Sequence, residues 1–293
     1  MRAFALFFGL MLAALASIAI FTYPAWLLLH PYFDFPFHRI GDRIGMLALA
    51  ITFTLVARHV GMGDKRSVGY ALPRPLFIRE MLKALVLGVV GMMAIVGIMT
   101  ALGLLDWSQA STATGGKLAK IVFNRLLSGL AVGLIEETML RGVMFAAIER
   151  ESGTKSAIIL TSLVYAAVHF LDSYHEVDAH PTPHSGLDLL AGMLHRFSEP
   201  LVMADAYICL FAVGIVLAMI RARRGNIAAC WGLHAGWVWV ILITRELTKP
   251  VRDQPLSFLL SQFDGFIGWL VFGWTVLMGV FLVRFYAPQT SRA

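Results

Sequence analysis

The stretch IVFNRLLSGLAVGLIEETMLRGVMFAAI, residues 121–148, decides how the rest of the chain is read. As a helix it would extend about 42 Å, more than the roughly 30 Å of a bilayer's hydrocarbon core. Yet it carries Arg125, Glu136, Glu137 and Arg141. Ionisable side chains in an apolar span are expensive, face the protein interior and mark function. A membrane helix with a chemical task is therefore the expectation here.

Reading outward, seven further apolar stretches appear at about 4–29, 44–60, 84–105, 157–170, 200–220, 227–244 and 266–285. The 293 residues are 58% hydrophobic and 14% charged, with a mean hydropathy of +0.75. A soluble domain would carry about 25% charged residues. The expected fold class is all-α: a polytopic membrane helical bundle of about eight transmembrane helices, forming one membrane domain over 1–293. Within it, 1–115 supplies N-terminal helices, 117–240 the core that bears the polar motifs, and 257–293 the last helix and tail. The apolar run after Met1-Arg2 continues to Leu29, too long for a cleaved signal segment, so a retained first helix is expected.

The net charge of +6 has a topological explanation. Arg58, Lys65, Arg66, Arg74, Arg79 and Lys83 flank the second connection, and Arg221, Arg223 and Arg224 the sixth. Both fall on the cytoplasmic side if the N-terminus does, as the positive-inside rule requires. An inner (plasma) membrane location of bacterial type with both termini cytoplasmic is expected, and no nucleic-acid partner. Cys209 and Cys230 each lie inside a span and form no disulfide framework. The polar connection around 172–186 precedes an expected interfacial helix at 187–197. Its His175, His180 and His184, near Glu176 and Asp178, read as a solvated loop, with loose metal binding as the other reading.

Within the spans, Glu137 and Arg141 are four apart with the acid first, the favourable order for an ion pair on one helix face. Glu136 lies about 100° round the helix and is left for another partner; an unpaired carboxylate away from bulk water suits a general base or acid. The next apolar stretch ends in Tyr165-Ala-Ala-Val-His169, and His234 lies in Cys230-Trp-Gly-Leu-His-Ala-Gly-Trp237. Gly232, Ala235 and Gly236 there allow close helix approach.

Taken in order, EETMLRG at 136–142, YAAVH at 165–169 and the His234 segment after Arg-Arg-Gly-Asn resemble the motifs of the CPBP family of intramembrane endopeptidases, related to the type II CAAX prenyl protease. The resemblance runs from about Lys117 to Val240. It implies an endopeptidase in which Glu136 and His169 activate a water, His234 helps stabilise the oxyanion, and Glu137, Arg141 and Tyr165 support the site. It implies no cofactor, and a membrane protein or lipid-anchored peptide in the lipid bilayer as the partner. Two positions depart from the family pattern. Tyr165 stands where Phe is usual, and Val238 where an Asn would complete the oxyanion hole, leaving Asn226, Trp237 or a backbone N–H as substitute donors. Other readings use the same residues: a zinc site of Glu136, His169 and His234; a Cys230 nucleophile; and a membrane binding, scaffolding, immunity-type or transport protein.

Overall fold

A computed structural model describes residues 1–111, 113–171 and 180–286. His175, Glu176 and Asp178 of the loop lie outside the described residues. The expected eight apolar stretches all fall on helices, as an all-α polytopic bundle requires. By length and apolarity, five helical stretches can cross a membrane: Arg2–Leu29, Phe37–His59, Arg74–Ala101, Gly115–Val168 and Pro200–Arg224. The fourth is 54 residues long and holds two of the expected spans, divided at Gly153, whose φ of +82° breaks the helix. Left-handed backbone there suits glycine alone. The seventh expected span is diluted by Trp231, His234, Trp237 and Trp239, and the eighth is a helix of 17 residues. The protein is an integral membrane protein.

Two compact units are distinguished: 1–63 with 166–201, and 64–165 with 202–293. In the first, α1 (Arg2–Leu29) packs against α2 (Phe37–His59) and against α7 (Ser185–Leu194), which occupies the place of the expected interfacial helix. Ile18, Phe37, Leu189 and Met193 form their shared core. Gly186 meets α1 so closely that a methyl group there would fall 2.2 Å from the Ala19 carbonyl oxygen.

The second unit holds α3 (Arg74–Ala101), the short α4 (Ser108–Ser111), α5 (Gly115–Glu137), most of α6 (Phe145–Val168) and of α8 (Pro200–Arg224), α9 (Ala228–Leu247) and α10 (Trp269–Phe285). Two-residue strands, Leu105–Asp106 and Lys249–Pro250, pair antiparallel. α9 is the central element, packed on α3 and α5. Small residues explain the closeness. A methyl on Gly232 would stand 2.1 Å from the Met81 carbonyl oxygen, and one on Gly236 2.7 Å from that of Leu85. On the other flank, methyl groups on Gly129 and Gly133 of α5 would stand 2.7 Å from the Ala235 carbonyl oxygen and 3.2 Å from its nitrogen. Without a hydrophobic drive between helices in lipid, such contacts and interhelical hydrogen bonds hold the bundle. Trp231 and Trp239 supply two, donating their indole N–H groups to the Leu130 and Val122 carbonyls of α5 at 2.9 Å each. These contacts fix both the rotation and the height of α9 beside α5, and with them the position of His234.

Candidate active site

Between α5 and α6 the backbone winds as a π-helix over Thr138–Met144. Such wider turns are rare and gather at functional sites. This one begins immediately after Glu136-Glu137 and contains Arg141. It is held from outside: Tyr70 and Thr138 share a hydroxyl hydrogen bond of 2.6 Å, and Gly142 leaves room for the Val68 carbonyl, which would lie 2.9 Å from a methyl group there.

The pair expected from the i,i+4 spacing is present. Arg141 donates to Glu137 Oε1 at 3.0 Å, and both side chains are 0% exposed. Arg141 also reaches the Gly214 carbonyl of α8 at 3.3 Å and lies over the Tyr165 ring, 4.5 Å from its centroid. Tyr165 in turn meets the His234 ring edge-on, with centroids 5.8 Å apart. It is thus a wall shared by the guanidinium and the imidazole.

His234 Nδ1 lies 2.8 Å from the same Glu137 Oε1. An ionised carboxylate only accepts, so Nδ1 carries the proton and donates. That bond fixes the tautomer and the ring orientation, as a carboxylate behind a working histidine does elsewhere. The other ring nitrogen, Nε2, then faces Glu136, 3.9 Å from its Oε2. Glu136 is half-buried; its Oε2 is shut off from solvent and makes no hydrogen bond among the described residues. One glutamate is thus locked by two partners and its neighbour stands unengaged opposite the imidazole. A single water could bond both Glu136 Oε2 and His234 Nε2 at ordinary distances of about 2.8 Å.

His169 falls in the first unit, half-buried in the turn just beyond α6. Of the three residues named as catalytic from the sequence, the structure therefore brings Glu136 and His234 together in the second unit. Among the described residues no group of three His, Cys, Asp or Glu side chains is placed to hold a metal ion.

The substitute oxyanion donors fare unequally. Asn226 is engaged at the start of α9: its Oδ1 accepts from the Ala228 N–H at 3.1 Å and its Nδ2 donates to the Arg224 carbonyl at 2.8 Å. Both bonds are local ones that brace the turn leading into α9. Cys230 is buried, with its thiol 3.3 Å from the Leu217 carbonyl. Arg221, one of the cations that flank the sixth connection, is only 6% exposed; its side chain turns into the protein near the end of α8. Two other ionisable groups of the expected spans have partners. Arg125 pairs with Glu246, and Asp205 accepts a hydrogen bond from Ser261 at 2.9 Å.

The model of the type II CAAX prenyl endopeptidase Rce1-like family matches residues 118–240. No curated protein and no solved structure matches the chain significantly. The matched segment begins in α5 and ends in α9, so it encloses the π-helical turn, both glutamates, His169 and His234. Over residues 118–240 the chain is accordingly similar to the Rce1-like type II CAAX prenyl endopeptidases, which indicates a membrane-embedded peptidase of the CAAX-protease type.

Proposed function

We propose that the protein is an intramembrane endopeptidase of the glutamate type. The observation that carries this reading is the opposition of Glu136 Oε2 and His234 Nε2 across 3.9 Å, with Glu137 held behind the imidazole. Glu136 acts as general base, taking a proton from the attacking water. That water bonds both groups. Glu136 passes that proton to His234 Nε2; the imidazolium so formed, its Nδ1–H held by Glu137, hydrogen-bonds the oxyanion and then gives the same proton to the leaving amine as the C–N bond breaks, so that Val238 needs no amide there. Hydrolysis of an amide requires these proton transfers, each worth about 10²–10⁴-fold. The family pattern assigns His169 to the activation of water, and its substitution is tested beside that of Glu136.

The substrate is a membrane-associated protein or a lipid-anchored peptide. The family description points to this class, and the site lies on helices long enough to be immersed in the bilayer. The orientation with cytoplasmic termini follows from the basic connection between α2 and α3. No metal enters the mechanism.

The test is cleavage of membrane-anchored peptides by purified protein in liposomes, for wild type, Glu136→Ala and His169→Ala, each with and without a chelator. Cleavage that needs both residues and survives chelation supports the glutamate mechanism. Loss on chelation favours the zinc reading, and binding without cleavage in every form favours a scaffolding protein.

A further inference from the structure

α8 ends in Arg221-Ala222-Arg223-Arg224, three cations in four residues with three different destinations. Arg224 pairs with Glu80 of α3 at 3.2 Å, and Arg223 donates to the Val283 carbonyl of α10. Arg221 turns toward the π-helical turn. Its Nε donates to the carbonyl oxygen of Arg141 at 2.9 Å, and its guanidinium lies 5.5 Å from the centroid of the Phe145 ring. A cation so deeply buried loses its hydration and persists only where its contacts replace it.

The carbonyl it holds is a particular one. In a regular α-helix the Arg141 carbonyl would accept from the Phe145 N–H, four residues on. Here the Phe145 N–H is directed to the Leu140 and Gly142 carbonyls. Arg221 supplies a donor to the Arg141 carbonyl from a different helix. Arg141 is also the residue whose side chain holds Glu137, and Glu137 holds His234. A continuous chain of hydrogen bonds thus runs from Arg221 through the backbone of Arg141 to its guanidinium, to Glu137 Oε1 and to His234 Nδ1.

We propose that Arg221 is a positioning residue of the active site, setting the height of the π-helical turn so that Glu137 presents His234 Nε2 to Glu136. The inference rests on the peptidase reading for its kinetic consequence, but the geometry it asserts can be read without activity. Displacement of reacting groups by about 1 Å from a remote change costs about 100-fold in rate. Arg221→Met is expected to lower kcat by about that factor with KM nearly unchanged. Arg223→Met, which removes a neighbouring cation bonded elsewhere, leaves kcat within about twofold of wild type. Arg221→Lys, which keeps a charged donor, recovers most of the loss.

The deciding measurement is made on full-length protein labelled with ¹⁵N-histidine in lipid nanodiscs, with Glu137→Gln marking the His234 Nδ1–H resonance. In Arg221→Met that resonance shifts toward its position in Glu137→Gln, while in Arg223→Met it stays at the wild-type position. Arg221→Gln is measured in parallel, with the same expected shift, and carries the test if Arg221→Met does not fold. An unmoved resonance in the folded Arg221 variants, or an equal shift in Arg223→Met, overturns the proposal. If wild type cleaves no peptide, the peptidase reading fails, while the resonance still decides the role of Arg221.

Discussion

Glu137 Oε1 accepts from both Arg141, at 3.0 Å, and His234, at 2.8 Å, so one carboxylate oxygen joins the π-helical turn to α9. Glu136, the preceding residue, touches neither by a hydrogen bond. The two glutamates are thus expected to differ sharply in what their loss does. Removing one member of a buried pair leaves an uncompensated charge, at about 3–5 kcal/mol. Glu137→Ala should lower the unfolding free energy by about that amount, whereas Glu136→Gln should leave the thermal midpoint close to wild type. Thermal unfolding of the two variants in the same detergent checks this; equal losses would contradict the division of roles.

Close packing of α9 on α3 makes a second prediction. Gly232→Ala places a methyl against the Met81 carbonyl, and overpacking of this kind costs about 1–3 kcal/mol. Gly97→Ala, on the same α3 but with open space around it, should be neutral or stabilising by up to about 1 kcal/mol, the helix-propensity difference. The contrast is read from unfolding midpoints.

Trp231 and Trp239 tie α9 to α5 through single indole hydrogen bonds. Replacing either by Phe should cost about 0.6 kcal/mol, the average found for polar contacts between membrane helices. Trp239→Phe, further along α9 from His234, should leave the cleavage rate within about threefold. A larger kinetic effect at Trp239 than at Trp231 would show that α9 is not positioned as described.

The thiols should be dispensable. Cys230 is buried with its thiol on the Leu217 carbonyl, and Cys209 is buried as well; buried cysteines of this kind act as small hydrophobes. The doubly substituted Cys209→Ala, Cys230→Ala protein should retain cleavage within about tenfold of wild type, allowing for cavity effects. Complete loss in a folded double variant would revive the cysteine nucleophile.

These relationships were unevenly legible in the sequence. The spans follow from apolar length alone, and the Glu137–Arg141 pair from helical periodicity, because both depend on neighbours in the chain. The His234 bond to Glu137 joins residues 97 apart and depends on the glycine contacts that draw α9 against α5. Part of that signal was visible in Gly232 and Gly236. Gly129 and Gly133, four apart in α5, carry the matching half. The π-helical turn leaves no mark in composition, since it is a choice of backbone register sustained by contacts from other elements. The burial of Arg221 is hidden in the sequence, because it shares a basic run with Arg223 and Arg224. Two residues of helix set it about 160° round from Arg223, whereas three set it only about 60° from Arg224, and it lies nearly a turn deeper in α8 than Arg224. Asn226 has the residue type of an oxyanion donor, but two residues ahead of Ala228 its side chain also suits the local turn that it braces.

The central claim is that Glu136 is the base that activates water. It is tested most directly by the cleavage rate of a membrane-anchored peptide by Glu136→Gln in liposomes, beside wild type of the same thermal midpoint. The account predicts a fall of about 10²–10⁴-fold in kcat with peptide binding retained. Cleavage by Glu136→Gln at the wild-type rate would contradict it.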